Sequence, residues 1–342
     1  MTQSAFEMDE VSSLVSLLEK EAKELAQILP DDIRVAPRFW QQALFEPLGE
    51  ASRRPGKEFR GRFAEIAWAL AGGRGPAPAE LSATVEALHL GSLIVDDIED
   101  GSVSRRGQQA LHVRVGLPLA LNAGNWLYFW PSALLERAGF EPSRLLALKA
   151  ALNRAVLRCH YGQALDLSLR VTELRQSEVK ELVYGSTRLK TGSLFELSAE
   201  LGATAAGASA EVVHVLAELG RDLGVALQML DDWTGIACER RYHKGQEDLR
   251  EARPSWPWAW LSELLDDVSY VRLRVLAEAV VHRELTPDVL AGQIRTLLAD
   301  APSRAIRAQV ERSRAECHAR FKGSPALAEL DGELARLERY DG

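Results

Sequence analysis

The carboxylates of Asp96 and Asp100, which close a long apolar stretch, are the first sign of chemistry in this sequence. They lie four residues apart in GSLIVDDIED, so a helix would place them on one face, with Asp97 and Glu99 beside them. These carboxylates repel one another, and the negative end of the helix dipole adds to that cost. A divalent cation would offset both effects, and Mg²⁺ typically takes one or two carboxylates together with substrate phosphate. The cluster therefore predicts a magnesium site that receives a phosphorylated substrate.

A second aspartate pair, Asp231 and Asp232, closes another apolar stretch, ALQMLDDWTG, later in the chain. Two such clusters facing each other would hold a Mg²⁺–diphosphate unit between them. Either cluster alone could instead be a solvated acidic helix end that needs no ligand. The repetition of the pattern favours the metal site for both.

Basic residues that could bind a diphosphate occur near both clusters. Arginine pairs with phosphate as a planar fork, and lysine acts as a point charge. The candidates are Lys57, Arg60, Arg105, Arg106, Lys190 with the neighbouring hydroxyl of Thr191, and Lys244. Taken singly, each is more often a surface charge, but their combination with the aspartates predicts an anion site. His89 is a further candidate, because it lies two helical turns before Asp96 on nearly the same face.

Composition and charge narrow the class of protein. The chain has 342 residues, 46% of them hydrophobic, so it is long and apolar enough for a sizeable core. Its net charge of −8 argues against nucleic-acid binding. The three cysteines are widely spaced and odd in number, which excludes a disulfide framework and favours a reducing compartment. No apolar stretch is long enough for a membrane span, and the acidic N-terminus is not a signal peptide, so we expect a cytoplasmic location.

Helical patterns dominate the rest of the sequence. Apolar residues recur with a period near 3.6, and alternating β-branched runs are scarce. The predicted helices are 11–28, 61–72, 78–100, 142–168, 176–202, 210–232, 258–282, 286–299 and 303–319. No linker divides the chain, so we predict a single all-α domain over 1–342, with a frayed N-terminus of about 1–10.

These motifs and their order resemble the trans-isoprenyl diphosphate synthases, also called polyprenyl synthetases. The order is GKxxR, HxxSLxxDDxxD, RRG, GQxxDL, KTG, QxxDD and KGxEDL, and it covers the chain from about Lys57 to Pro257. The resemblance implies an all-helical isoprenoid synthase fold, a helical bundle around a deep central apolar cavity, and a homodimer. It implies that isopentenyl diphosphate is condensed head to tail with an allylic diphosphate, with Mg²⁺ as cofactor and three ions per active site.

The resemblance also assigns roles to residues. The family positions that hold isopentenyl diphosphate are matched by Lys57, Arg60, His89 and Arg106. The positions around the allylic diphosphate are matched by Arg105, Lys190, Thr191, Gln228 and Lys244. The Mg²⁺ ligands are matched by Asp96, Asp100 and Asp231. The implied catalytic set, which stabilises the departing diphosphate, is Asp96, Asp97, Asp100, Arg105, Lys190, Asp231 and Asp232.

The sequence departs from the family pattern at its second acidic motif, and two other functions follow from that. Gly235 stands where many members have aspartate, so one carboxylate is missing, and Arg253 stands where a lysine is expected. A class I terpene cyclase spaces its metal ligands so that Glu239 could be one, but a cyclase needs no isopentenyl diphosphate site. A regulatory subunit without catalytic activity could tolerate the loss at Gly235. The complete first motif and basic set favour the synthase.

The residues before the first aspartate bear on the length of the product. In the family, the two positions four and five residues before it can form the pocket floor, and here these are the small residues Ser92 and Gly91, with Leu88 one turn deeper. No aromatic side chain closes the first turn, which disfavours a C15 product. We expect the C20 product geranylgeranyl diphosphate, with C15 or C25 and longer as alternatives.

Overall fold

Helices form nearly all the regular structure in the computed structural model of this protein, which describes residues 12–30, 32–54, 56, 58–238 and 242–340. This confirms the predicted all-α fold class. The strands in the described residues form one hairpin, Ser104–Arg105 paired with Gln108–Gln109. The predicted frayed N-terminus lies outside the described residues. Across those same residues, every helix is too short or too polar to cross a membrane.

Contacts within the chain fall into two compact units. The first comprises residues 1–65 and 76–149, and the second comprises 66–75 and 150–342. Two helices, Phe59–Leu70 (α4) and Pro142–Ser168 (α8), have residues in both units. The single domain over 1–342 stays a prediction.

The first unit is built on two long helices that approach closely. Gly91 and Gly124 make this approach possible, because a Cβ on Gly91 would lie 2.9 Å from the Cβ of Leu127, and one on Gly124 would lie 2.9 Å from Val95 Cγ2. The contact fixes the helix that ends in the first aspartate cluster. The two long helices are α5 (Ala79–Glu99) and α7 (Leu117–Arg137). The other helices of this unit are α1 (Ser13–Ile28), α2 (Pro37–Trp40), α3 (Glu46–Ser52) and α6 (Leu111–Val115), and a π-helical turn, Gln41–Phe45, lies between α2 and α3.

The second unit packs a core that includes Trp258, Tyr270 and Ile294. A π-helical turn, Arg188–Gly192, interrupts its helices just where the KTG motif lies. Its helices are α9 (Gln176–Thr187), α10 (Ser193–Ala206), α11 (Ala210–Ala237), α12 (Tyr242–Arg250), α13 (Trp256–Leu264), α14 (Asp267–Val281), α15 (Pro287–Leu298), α16 (Ala301–Arg320) and α17 (Ala326–Tyr340).

Most predicted helices are confirmed, and the predicted helix 142–168 is observed over its full length. Two predicted helices are interrupted, and some observed helices were not predicted. The predicted helix 176–202 contains the π-helical turn. The predicted helix 258–282 ends at Leu264 and begins again after Asp266, whose carboxylate accepts the backbone N–H of Ser269 at 2.9 Å as an N-cap. Helix α12 was not predicted, because HKGQEDLR carries almost no apolar residues.

Candidate active site

The first aspartate cluster contains two differently placed carboxylates at its start. Asp97 is 3% exposed and accepts the Nε–H of Arg105 at 2.8 Å, with a second bond from a terminal nitrogen of the same guanidinium. The Asp96 side chain is 25% exposed, and its Oδ2 lies 3.5 Å from Arg105. Burial raises the pKa of Asp97, and the bond from Arg105 opposes that rise. Arg105 is therefore held at the acidic cluster, and its role at a diphosphate site stays a prediction.

The RRG motif forms the turn of the hairpin. Arg106 and Gly107 have φ angles of 53° and 75°, and a two-residue hairpin turn of this kind needs positive φ at both positions. The non-glycine residue there carries backbone strain, which is typical of functional positions. Arg106 donates to the backbone carbonyl of Arg54 at 3.2 Å and lies against Gly56, whose Cβ would be 2.8 Å from its NH1 atom.

Three of the residues matched to isopentenyl diphosphate lie in the described part of the first unit, and two are in direct contact. Arg60 NH1 is 3.2 Å from His89 Nε2. Arginine can only donate, so Nε2 accepts this hydrogen bond and the ring proton is on Nδ1. Burial and the charges of Arg105 and Arg60 lower the pKa of Arg106. This concentration of positive charge can bind an anion. Lys57 lies outside the described residues.

Glu86 is a carboxylate next to these cations, and Glu58 is another. Glu86 lies on α5 three residues before His89, and its Oε1 accepts the backbone N–H of Gly61 at 2.8 Å. Burial raises the pKa of Glu86, whereas Arg60, the Gly61 N–H and Arg106 lower it. Glu86 also raises the pKa of Arg106. Sequence reasoning missed Glu86, although a glutamate three residues before His89 on an apolar helix was a readable signal.

The KTG motif in the second unit is placed by its π-helical turn. Such turns are frequent at functional sites. This one is closely packed on two sides: a Cβ on Gly162 would lie 2.7 Å from Lys190 Cγ, and one on Gly224 would lie 2.9 Å from Gly192 Cα. The Lys190 ammonium bonds to Asp166 Oδ2 at 2.6 Å, and Arg253 NH1 lies 3.7 Å from the same oxygen. Asp166 is the aspartate of GQxxDL, and sequence reasoning gave it no role.

A chain of hydrogen bonds connects this turn to the second aspartate pair. Thr191 donates to Gln228 Oε1 at 2.6 Å, and Gln228 Nε2 donates to Asp232 Oδ1 at 2.7 Å. The other carboxylate oxygen of Asp232 accepts the backbone N–H of Trp256 at 3.0 Å. These hydrogen bonds fix the amide orientation of Gln228, and both carboxylate oxygens of Asp232 accept hydrogen bonds from protein groups. Trp256 carried no functional signal in the sequence. Its indole N–H donates to the hydroxyl of Thr187 at 3.1 Å, which holds this end of the hydrogen-bond chain in place.

The missing carboxylate of the second motif has a packing explanation. Gly235 is buried against Gly245 of α12, and a Cβ on Gly245 would lie only 2.1 Å from the carbonyl oxygen of Gly235. A Cβ on Gly235 would lie 3.4 Å from the Gly245 backbone. Gly235, at the position where many family members have aspartate, therefore allows a close contact between α11 and α12. Lys244 lies in α12 by its backbone, and its side chain is outside the described residues. Glu239 is outside them altogether.

The three residues expected at the pocket floor separate into two faces of α5. Gly91 lies in the contact with α7. Ser92 and Leu88 lie four and eight residues before Asp96, on the face of that aspartate. Leu88 is 2% exposed, and the Ser92 hydroxyl donates to the carbonyl of His89 at 2.8 Å. The floor itself stays a prediction.

Each aspartate cluster offers hard oxygen ligands but does not complete a metal site by itself. Within the described ranges, no three His, Cys, Asp or Glu side chains lie together closely enough to hold a metal ion. Asp96, Asp100 and Asp231 are all partly exposed carboxylates. This chemistry fits Mg²⁺, which takes its remaining ligands from water and phosphate. Asp97 and Asp232 instead accept bonds from protein donors.

Comparison with known proteins gives one consistent result. The polyprenyl synthetase family model matches residues 41–275. A geranylgeranyl pyrophosphate synthase of Eremothecium gossypii is 31% identical over 235 residues, covering 66% of this chain and 73% of that protein. One from Sulfolobus acidocaldarius is 31% identical over 54% of this chain and 56% of that protein, just over half its length. A structure of geranylgeranyl pyrophosphate synthase from Corynebacterium glutamicum, complexed with isoprenyl diphosphate and magnesium, has a TM-score of 0.75 at 20% identity, covering 96% of this chain and 99% of that one.

Proposed function

The chain belongs to the polyprenyl synthetase family and is a trans-prenyltransferase, and on that premise we propose that it condenses isopentenyl diphosphate with an allylic diphosphate. The product we propose is geranylgeranyl diphosphate, which is also what the relatives named above make according to their names. The allylic substrate is dimethylallyl, geranyl or farnesyl diphosphate. The cytoplasm is the proposed location.

The observation that carries the proposal is the cation cluster of the first unit. Arg60 contacts His89 at 3.2 Å, and Arg60 and Arg106 are close enough for the charge of one to lower the pKa of the other. A terpene cyclase has no second diphosphate to bind, so this cluster favours a condensing enzyme. Lys57, outside the described residues, is the proposed fourth member.

The second unit would hold the allylic diphosphate. Lys190 is fixed by Asp166, and Thr191 by Gln228, so a cation and a hydroxyl are oriented before substrate binds. Preorganised groups of this kind stabilise charge that develops as the allylic C–O bond breaks. Arg105 and Lys244 complete the proposed set. The double bond of isopentenyl diphosphate then attacks the allylic carbocation, and the released diphosphate takes the proton that is lost.

Asp96, Asp100 and Asp231 would hold Mg²⁺, three ions per active site, with Asp97 and Asp232 supporting them. The chemistry that the ions supply when bound is neutralisation of the departing diphosphate. Water must be excluded, because it would quench a carbocation. Leu88 and Ser92, on the face of Asp96, are the proposed floor residues, with Gly91 behind them.

A homodimer is part of the proposal. An exposed apolar stripe on α7 supports it: Leu117, Leu121 and Phe129 are 51%, 40% and 77% exposed. They follow one another at multiples of four residues, so they share one side of the helix. Asn125 lies between Leu121 and Phe129 on that side, and large exposed apolar side chains on one helix face are typical of protein interfaces.

The test is incubation of the purified protein with Mg²⁺, isopentenyl diphosphate and one allylic diphosphate at a time, with products identified by mass spectrometry. Elongated diphosphates of C20 are the expected result. A hydrocarbon or alcohol formed from the allylic substrate alone would establish a cyclase instead. Elongation that appears only after a homologous synthase is added would establish a regulatory subunit.

A further inference from the structure

We infer that Glu86 is a positioning residue that sets the distance between Arg60 and His89 in the isopentenyl diphosphate site. The inference rests on the proposed function, because that function supplies the substrate. It assigns a role to a carboxylate that lies beside the arginines of this site.

The first step is the hydrogen bond from Gly61 to Glu86. Helix α4 begins at Phe59, so the N–H groups of its first turn have no partner within the helix. Glu86 Oε1 accepts the Gly61 N–H at 2.8 Å and thereby acts as a cap supplied from α5, 25 residues along the chain. The residue before Gly61 is Arg60. The bond therefore fixes the backbone from which the Arg60 side chain reaches His89.

The second step is the absence of a side chain at position 61. A Cβ on Gly61 would lie 2.4 Å from Ser82 Oγ and 3.1 Å from Glu86 Cγ. A Cβ there would displace the side chains of Ser82 and Glu86, and with Glu86 the acceptor of the Gly61 N–H. Glycine and glutamate thus cooperate in a close approach between the element that carries Arg60 and the element that carries His89.

The charge of Glu86 also acts on the neighbouring arginines. Arg60 and Arg106 are the cations that lower the pKa of Glu86, so its carboxylate lies within their field. Arginines held close together repel one another, and a neighbouring carboxylate reduces that cost before the substrate arrives. Glu86 and His89 are three residues apart on α5, so both side chains project from one side of the helix toward α4. Glu86 itself would carry a charge of the same sign as the diphosphate, so we assign it no contact with substrate.

The experiment compares Glu86→Leu and Glu86→Gln with the wild type in steady-state elongation. Leucine removes the acceptor, and glutamine keeps an acceptor of the same reach. We expect Glu86→Leu to raise the KM for isopentenyl diphosphate about 10-fold, from the lost bond to a backbone N–H. The KM for the allylic substrate should change less than about twofold. Glutamine should restore most of the loss, and Gly61→Ala should reproduce it.

The matched control is Glu21→Gln. Glu21 is a buried glutamate of the first unit, and Trp130 at 2.8 Å and Arg137 bind its carboxylate. Its replacement should leave both KM values unchanged, and thermal unfolding of every variant separates folding from binding. Equal changes in both KM values for Glu86→Leu, or none, would overturn the inference while the wild type still elongates. A wild type without elongation would overturn the proposed function and the inference together.

Discussion

Replacement of Gly245 by alanine is expected to push α12 away from α11, whereas the same change at Gly235 is not. The two glycines face each other, but they are not equivalent. A Cβ on Gly245 would lie 2.1 Å from the Gly235 oxygen and 2.4 Å from its carbonyl carbon, whereas a Cβ on Gly235 meets the Gly245 backbone at 3.4 Å. Both distances from a Cβ on Gly245 are sterically forbidden, whereas 3.4 Å is an ordinary van der Waals contact.

The magnitude follows from these distances. A carbon stays about 3.3 Å from a carbonyl oxygen even in close contacts, so the helices must separate by about 1 Å in Gly245→Ala. Overpacking of this kind lowers the free energy of unfolding by about 1–3 kcal/mol. The higher helix propensity of alanine offsets about 1 kcal/mol of that loss. Gly235→Ala keeps an ordinary contact and should gain up to about 1 kcal/mol. The two variants should therefore differ in stability by about 1–3 kcal/mol, with opposite signs.

The displacement should also reach the allylic site. Asp248 of α12 accepts the backbone N–H of Arg253 at 2.9 Å through its carbonyl, and Arg253 lies 3.7 Å from the Asp166 oxygen that binds Lys190. A misplacement of about 1 Å can reduce turnover by about 100-fold. We expect Gly245→Ala to raise the KM for the allylic substrate and lower kcat, with little change in the KM for isopentenyl diphosphate.

The assay is denaturant unfolding and elongation kinetics of three variants. Gly185→Ala is the control, because a Cβ on this helical glycine would lie more than 4 Å from the rest of the described structure outside its own helix turn. It should be slightly more stable than the wild type and fully active. A Gly245→Ala protein as stable and active as Gly185→Ala would refute the close contact between α11 and α12. Gly235→Asp, which restores the aspartate common in the family, should not raise activity, because its carboxylate would meet α12.

Three further outcomes are expected. Asp232→Asn should raise the KM for the allylic substrate about 10-fold, because the NH2 group of the new asparagine would face the N–H donor of either Gln228 or Trp256 and one hydrogen bond would be lost. An unchanged KM would show that this hydrogen-bond chain is not needed for substrate binding. Ser92→Phe should shorten the product seen by mass spectrometry, and an unchanged length would disprove the proposed floor. Burial raises the pKa of Glu86 above its ordinary value of 4.5, so the stability of the wild type relative to Glu86→Gln should be greatest below pH 4.5 and fall as pH rises through the raised pKa. Unfolding at several pH values tests this, and a difference independent of pH would contradict it.

The fold class and most long helices could be predicted from sequence, since an apolar period near 3.6 is a local property. Helix α12 could not, because HKGQEDLR has no apolar stripe and its place depends on the contact between Gly235 and Gly245. The interruption at 188–192 was also invisible, because a π-helical turn changes hydrogen bonding without changing hydrophobic pattern.

The sequence by itself determined which chemistry is present. Paired aspartates, ordered basic motifs and their spacing are properties of the chain, and they identify the family without reference to the tertiary structure. Only the tertiary structure decided which partner each group has: Asp97 binds Arg105, Asp166 binds Lys190, and Glu86 binds Gly61. The physical reason is that a residue type fixes charge and donors, whereas distance and burial, which set the strength of each interaction, exist only after distant segments have packed together.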